Sequence, residues 1–110
     1  AERRTPGRRL MAEAFFLKDP DAVELYGVDF EAVLAANELV VDQVSGHQVL
    51  SSAGIVLHTS SRSGARVTAR IGGGTAGTVY TVRFRLLVAI PGVAGPQPFD
   101  KTIQIRCEDQ

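Results

Sequence analysis

A chain of 110 residues, 45% hydrophobic and 22% charged, has the size and make-up of one globular domain with a modest core. No apolar run approaches the ~20 residues that cross a bilayer, and a single cysteine, Cys107, excludes an internal disulfide and a cysteine-rich zinc site while suiting assembly in a reducing cytoplasm. The net charge is zero but segregated: eight acids and one base lie between Glu13 and Asp42, then five arginines and no acid between Gln43 and Phe99. That division favours head-to-tail contact between copies or docking on a charged partner, against the plainer reading of a solvated surface.

Residues 1–17 read as an extended basic arm, with Arg3, Arg4, Arg8 and Arg9 crowded around Thr5-Pro6-Gly7. It is not a secretory signal, because the apolar stretch "MAEAFFL" is short and interrupted by Glu13. Met11 could itself be the natural start. Such an arm could thread into an acidic neighbour. Four arginines without interleaved aromatics make a poor nucleic-acid binder.

In "LKDPDAVELYGVDF", Asp19 can cap a short helical turn near 19–26, with Pro20 at its first position and Gly27 closing it in the left-handed region. Asp19, Pro20 and Asp21 are candidate contact residues beside the arm's arginines. In "VDFEAVLAANELVVDQV" the β-branched positions favour strands around 28–34 and 37–44, although "FEAVLAA" has helical propensity. "VSGHQVLSSAG" reads as loop, and "IVLHTSSRSG" as a short strand and a turn.

From residue 65 the pattern is regular. "ARVTARI" places Val67, Ala69 and Ile71 on one face. "TVYTVRFRLLVAI" places Tyr80, Val82, Phe84, Leu86 and Val88 opposite Thr81, Arg83 and Arg85. "FDKTIQIRCE" repeats the alternation through Phe99, Ile103, Ile105 and Cys107, with Lys101 breaking the phase, after the hairpin loop "PGVAGPQP". Short strands separated by turn signals, without a long helix, predict an all-β, immunoglobulin-like (fibronectin type III-like) antiparallel sandwich over residues 18–110.

"IGGGTAGT" satisfies only the glycine half of a phosphate-binding loop. The lysine is missing, and the β-branched, alternating residues that follow cannot easily become the helix whose N-terminus would face an anion. Gly72, Gly73, Gly74 and Gly77 instead suit a chain reversal between sheets. Tyr80, just inside the next strand, is placed to hydrogen-bond back onto that loop as a tyrosine corner.

No Ser/His/Asp constellation stands out. Ser45 and His47 do not make a catalytic pair, Asp19 and Asp21 are more simply capping groups, and His47 and His58 lack a further metal ligand at useful spacing. No cofactor, metal, membrane or small-molecule substrate is expected. A glycan-binding module is the alternative from another class, weakened by the absence of Trp and the presence of only two tyrosines, Tyr26 and Tyr80.

Two stretches together resemble a family of small tailed-bacteriophage virion proteins, the fibre–tail adaptors. Lys18, Asp19, Pro20, Asp21, Tyr26, Gly27, Asp29 and Phe30 fit the family's opening motif, in which a tryptophan usually stands where Phe30 does. Gly73, Gly74, Thr75, Ala76, Gly77, Thr78, Tyr80 and Val82 fit its second motif. The late hairpin, "AIPGVAGPQPF", is longer than the family's usual tight turn. The resemblance implies a non-enzymatic virion component, made in the host cytoplasm and placed at the neck or tail. There it would bridge a ring protein and fibres in a symmetric, multi-copy assembly, with capsid decoration as a close variant.

Overall fold

A computed structural model describes residues 14–108, and within them the expected all-β sandwich is present. The chain forms β1 (Ala14–Lys18), β2 (Glu24–Asp29), a short helix α1 (Glu31–Ala36), β3 (Val44–Ser51), β4 (Ile55–Ser63), β5 (Arg66–Gly73), β6 (Val79–Ala89) and β7 (Pro96–Cys107). One sheet has the order β1-β7-β6-β3 and the other β2-β5-β4. With β2 to β7 in the places of strands B to G, this is the immunoglobulin-like division of C–F–G from B–E–D. All strand pairs are antiparallel except β1, which runs parallel to β7. Among the described residues no helix is long and apolar enough to cross a membrane.

Alternation explains the core. Val82, Phe84, Leu86 and Val88 of β6 are fully buried beside Ile103, Ile105 and Cys107 of β7 in the same sheet, and Val67, Ala69 and Ile71 of β5 face them from the other. Burying each large apolar side chain contributes about 1.5–3 kcal/mol before entropy is subtracted. Lys101, which breaks the phase, points inward at the sandwich end, its Nζ 5.9 Å from the centroid of the buried Phe30 ring. The cation keeps an aromatic face where the core opens to water.

The first half of the chain differs from its sequence reading. No helical turn occupies 19–26: Asp19 to Ala22 form a tight turn, closed by the Ala22 N–H donating to the Asp19 carbonyl at 3.0 Å, and β2 begins at Glu24. Gly27 does not close a turn but lies mid-strand opposite Thr68, where an added Cβ would come within 2.9 Å of Thr68 Cγ2. The strand expected at 28–34 stops at Asp29, and the helical propensity of "EAVLAA" prevails in α1. The stretch expected as a strand at 37–44 is a helix stop and a 3-10 turn (Val41–Gln43). The strand lies further on, at β3, whose serines and glycine resembled a loop but pair with β6 through a bulge between Val44 and Gly46. Ala14–Lys18, within the span assigned to the arm, join the sheet through β7, and residues 1–13 lie outside the described residues.

Helix α1 is closed by a compact stop. Glu38 takes a positive φ of 58°, the Leu39 N–H donates to the Leu34 carbonyl at 2.8 Å, and the Glu38 N–H donates to the Ala35 carbonyl at 3.0 Å. Leu34 and Leu39, the pair that this geometry brings together, are both buried. The Phe30 N–H donates to the Ala65 carbonyl at 2.9 Å, so α1 is pinned across the end of the sandwich against the β4–β5 turn.

Candidate functional site

The two sequence motifs, 55 positions apart at their point of contact, meet in space. Lys18 closes β1 opposite Cys107 of β7, so its side chain points inward, and it is fully buried. Its Nζ donates to the Gly73 carbonyl at 2.7 Å and to the Asp19 carbonyl at 2.9 Å. The Glu108 N–H donates to the Lys18 carbonyl at 2.9 Å, tying the same corner to the end of β7. A buried ammonium is tolerable only when its protons are engaged, and two main-chain carbonyls engage it here. In the sequence Lys18 carried family resemblance but no role. The one signal it offered was its inward phase in "AFFLK", which becomes readable once β1 is known to be a strand.

The glycine segment is satisfied internally. The Thr75 N–H donates to the Tyr80 hydroxyl at 2.9 Å, the Gly77 N–H to the Cys107 carbonyl at 2.7 Å, and the Thr78 N–H to the Thr75 carbonyl at 3.1 Å. Main-chain donors that a phosphate would need are thus turned toward the protein, and a strand rather than a helix follows. The four glycines have separate reasons. Gly73, Gly74 and Gly77 adopt positive φ of 76°, 103° and 87°. Gly72 is buried within β5 without positive φ, and its missing side chain admits His58, whose Nε2 would lie 2.6 Å from an added Cβ.

Asp19, Pro20 and Asp21 form the surface of the turn above Lys18, with the Asp19 Oδ1 accepting the Asp21 N–H at 2.9 Å. Arg3, Arg4, Arg8 and Arg9 lie outside the described residues. Tyr26 faces inward from β2, its ring 5.1 Å from that of Phe16, and its hydroxyl is buried without a hydrogen-bond partner. Burial, with the Glu24 carboxylate adding to it, pushes the phenol up to about 12. The neutral form is therefore the one the folded state holds. Stability is full below the ordinary value of 10.0 and falls as pH rises from there to about 12. Tyr26→Phe is expected to flatten that alkaline limb. At neutral pH it should raise stability by up to about 1 kcal/mol, since it removes an unpaired buried hydroxyl. Urea titrations between pH 7 and pH 11 check both effects, and a variant less stable than the parent would contradict the reading.

Phe15 and Leu17 on β1 are 55% and 56% exposed, and Leu25 on β2, in the other sheet, is 57% exposed. Arg83, Arg85 and Arg106 project from the outer face of the β6–β7 pair. Arg85 is bridged to Asp100 by two hydrogen bonds, whose guanidinium holds the Asp100 carboxyl below the usual carboxylate range, and Arg106 contacts Glu108. At the opposite end, α1 and the β4–β5 turn enclose a cavity of about 510 Å³ with an apolar floor. Tyr26 and Tyr80 are both buried, which leaves neither ring free to stack on a sugar. Among the described residues no group of three or more His, Cys, Asp or Glu side chains is placed to hold a metal.

The sequence model of one family, described as podophage GP4 fiber-tail adaptor protein gp77, matches residues 18–90. The match begins at the buried lysine, takes in both motifs and their junction, and ends after β6. No curated protein and no solved structure matches the chain. With about two thirds of its length matched, and the matched part containing the joint that organises the sandwich, this chain belongs to the podophage GP4 fiber-tail adaptor protein gp77 family.

Proposed function

We propose that the protein is a structural adaptor at the neck or tail of a podophage particle, joining a ring protein to fibres or other appendages through protein–protein contacts. The family match over residues 18–90 carries this reading. The surface supports it: the outer face of the β1-β7-β6-β3 sheet carries Phe15 and Leu17 beside Arg106, and the outer face of the other sheet exposes Leu25 and Val56, so one small sandwich offers two separate contact areas. Two such areas are the minimum for a bridge. Many copies around a symmetric ring let individually weak contacts add through avidity. The protein is made in the host cytoplasm and ends in the virion.

Particles assembled without this protein are expected to retain capsid and tail ring but to lack fibres when viewed by cryo-electron microscopy. Fibres in place on such particles would refute the adaptor role. Density for the domain distributed over the shell would assign it to capsid decoration instead.

A further inference from the structure

The cavity at the α1 end is a groove with a distinctive lining. Its floor is Leu34 and Leu39, brought together by the helix stop, and its walls include Val40 and Val41, which are 58% and 42% exposed. Gly64 on the facing turn leaves it open, the nearest atom to an added Cβ being Val41 Cγ2 at 3.9 Å. Asp29 and Glu31 stand on the rim, both exposed, and the stretch from Asp29 to Asp42 holds four acids and no base. Arg66 also lines the groove, opposite Asp29 in the β2–β5 register, so the acidic character of the rim rests on Glu31 and, further along the same stretch, on the exposed Glu38 and Asp42. An apolar trough with an acidic rim fits a segment that carries guanidinium groups next to apolar side chains.

This chain carries such a segment. Residues 3–11 read "RRTPGRRLM", with four arginines followed directly by Leu10 and Met11. Thirteen residues precede the first strand, and a stretch of that length spans about 40 Å when extended, enough to leave one sandwich and reach the next. We infer that the α1 groove of one copy receives residues 1–13 of a second copy. Leu10 and Met11 lie on the Leu34–Leu39 floor, and the arginines meet the carboxylates of residues 29–42. The contact joins the arm of one copy to the groove of another, and it closes either as a reciprocal arm-exchanged dimer or as a ring. It does not depend on where in the particle the protein sits.

Sedimentation velocity of the full chain over a range of concentrations tests this. Association that weakens with added salt is expected. Replacing Arg3, Arg4, Arg8 and Arg9 with Glu should weaken it at least about tenfold, and so should the paired Glu31→Arg, Asp42→Arg variant. Both substitution sets are at exposed or arm positions, and unchanged thermal melting shows that each variant folds. Mixing the two variants restores complementary charges in trans, so the mixture is expected to associate where neither variant does alone. A parent chain that stays monomeric at millimolar concentration would overturn the inference. So would association indifferent to either reversal, or a mixture that remains monomeric.

Discussion

Gly74→Ala is expected to cost about 3–5 kcal/mol and to lower the melting temperature by about 15 °C or more. Two penalties coincide at this residue. Its φ of 103° is a conformation that L side chains rarely adopt, worth about 1–3 kcal/mol in strain. Its new Cβ would also collide with the buried Cys107 sulfur and press on Tyr80 Cε2 at 3.3 Å and Ile55 Cγ2 at 3.4 Å, where the core cannot yield. Gly77→Ala separates the two contributions. Its φ of 87° is similarly unfavourable, but nothing lies within 4 Å of the added atom, so only the strain of about 1–3 kcal/mol remains. Parallel thermal and urea melts of the two variants check this. Equal destabilisation would show that the packing argument is wrong.

Lys18→Met is expected to cost about 2–4 kcal/mol, seen as a lower urea midpoint with an unchanged slope. Two tendencies compete. Removing a buried charge also removes its desolvation cost, and replacing a buried ion by an apolar side chain of similar length is sometimes neutral or stabilising. That happens when both partners of a pair are replaced together. Here the partners are the main-chain carbonyls of Asp19 and Gly73, which no side-chain substitution can remove. Methionine fills the space but donates to neither, so both lose their donor inside the protein. Lys18→Arg should fail to restore stability, because a planar guanidinium does not fit a cradle shaped around a compact ammonium. A Lys18→Met variant as stable as the parent would show that the joint is held by packing alone.

Both predictions concern the place where the family's two motifs touch, and that bears on what the motifs mean. Lys18, Gly73, Gly74 and Tyr80 hold the corner of the sandwich together. The family is thus legible through residues that build the domain, and the α1 groove lies at its far end.

Strands β5 and β6, and β7 from Phe99 on, could be read directly from the chain, since each alternates, with Lys101 the one departure, and each follows a glycine- or proline-bearing turn. Alternation is a local property: Val82, Phe84 and Leu86 face one way whatever their neighbours are. The rejection of a nucleotide loop at 72–77 was equally local, resting on an absent lysine and on β-branched residues that follow. Long-range pairing decided the rest. Strand β1 exists because β7 offers it a parallel edge, and a parallel partner leaves no hairpin signal beside it in the sequence. The serine- and glycine-bearing stretch 44–51 is a strand because β6 supplies its ladder, and Gly27 is an interior strand residue because Thr68 crowds it. "FEAVLAA" resolves to helix because a stop at Glu38 and the anchor from Phe30 to Ala65 let Leu34 and Leu39 close the end of the core. Sequence alone determined the class of fold, its regular second half and the family. Only the tertiary structure could decide that a lysine is buried beneath a glycine turn, where the two sheets meet, and that an apolar groove opens at the far end, where α1 is set against the β4–β5 turn.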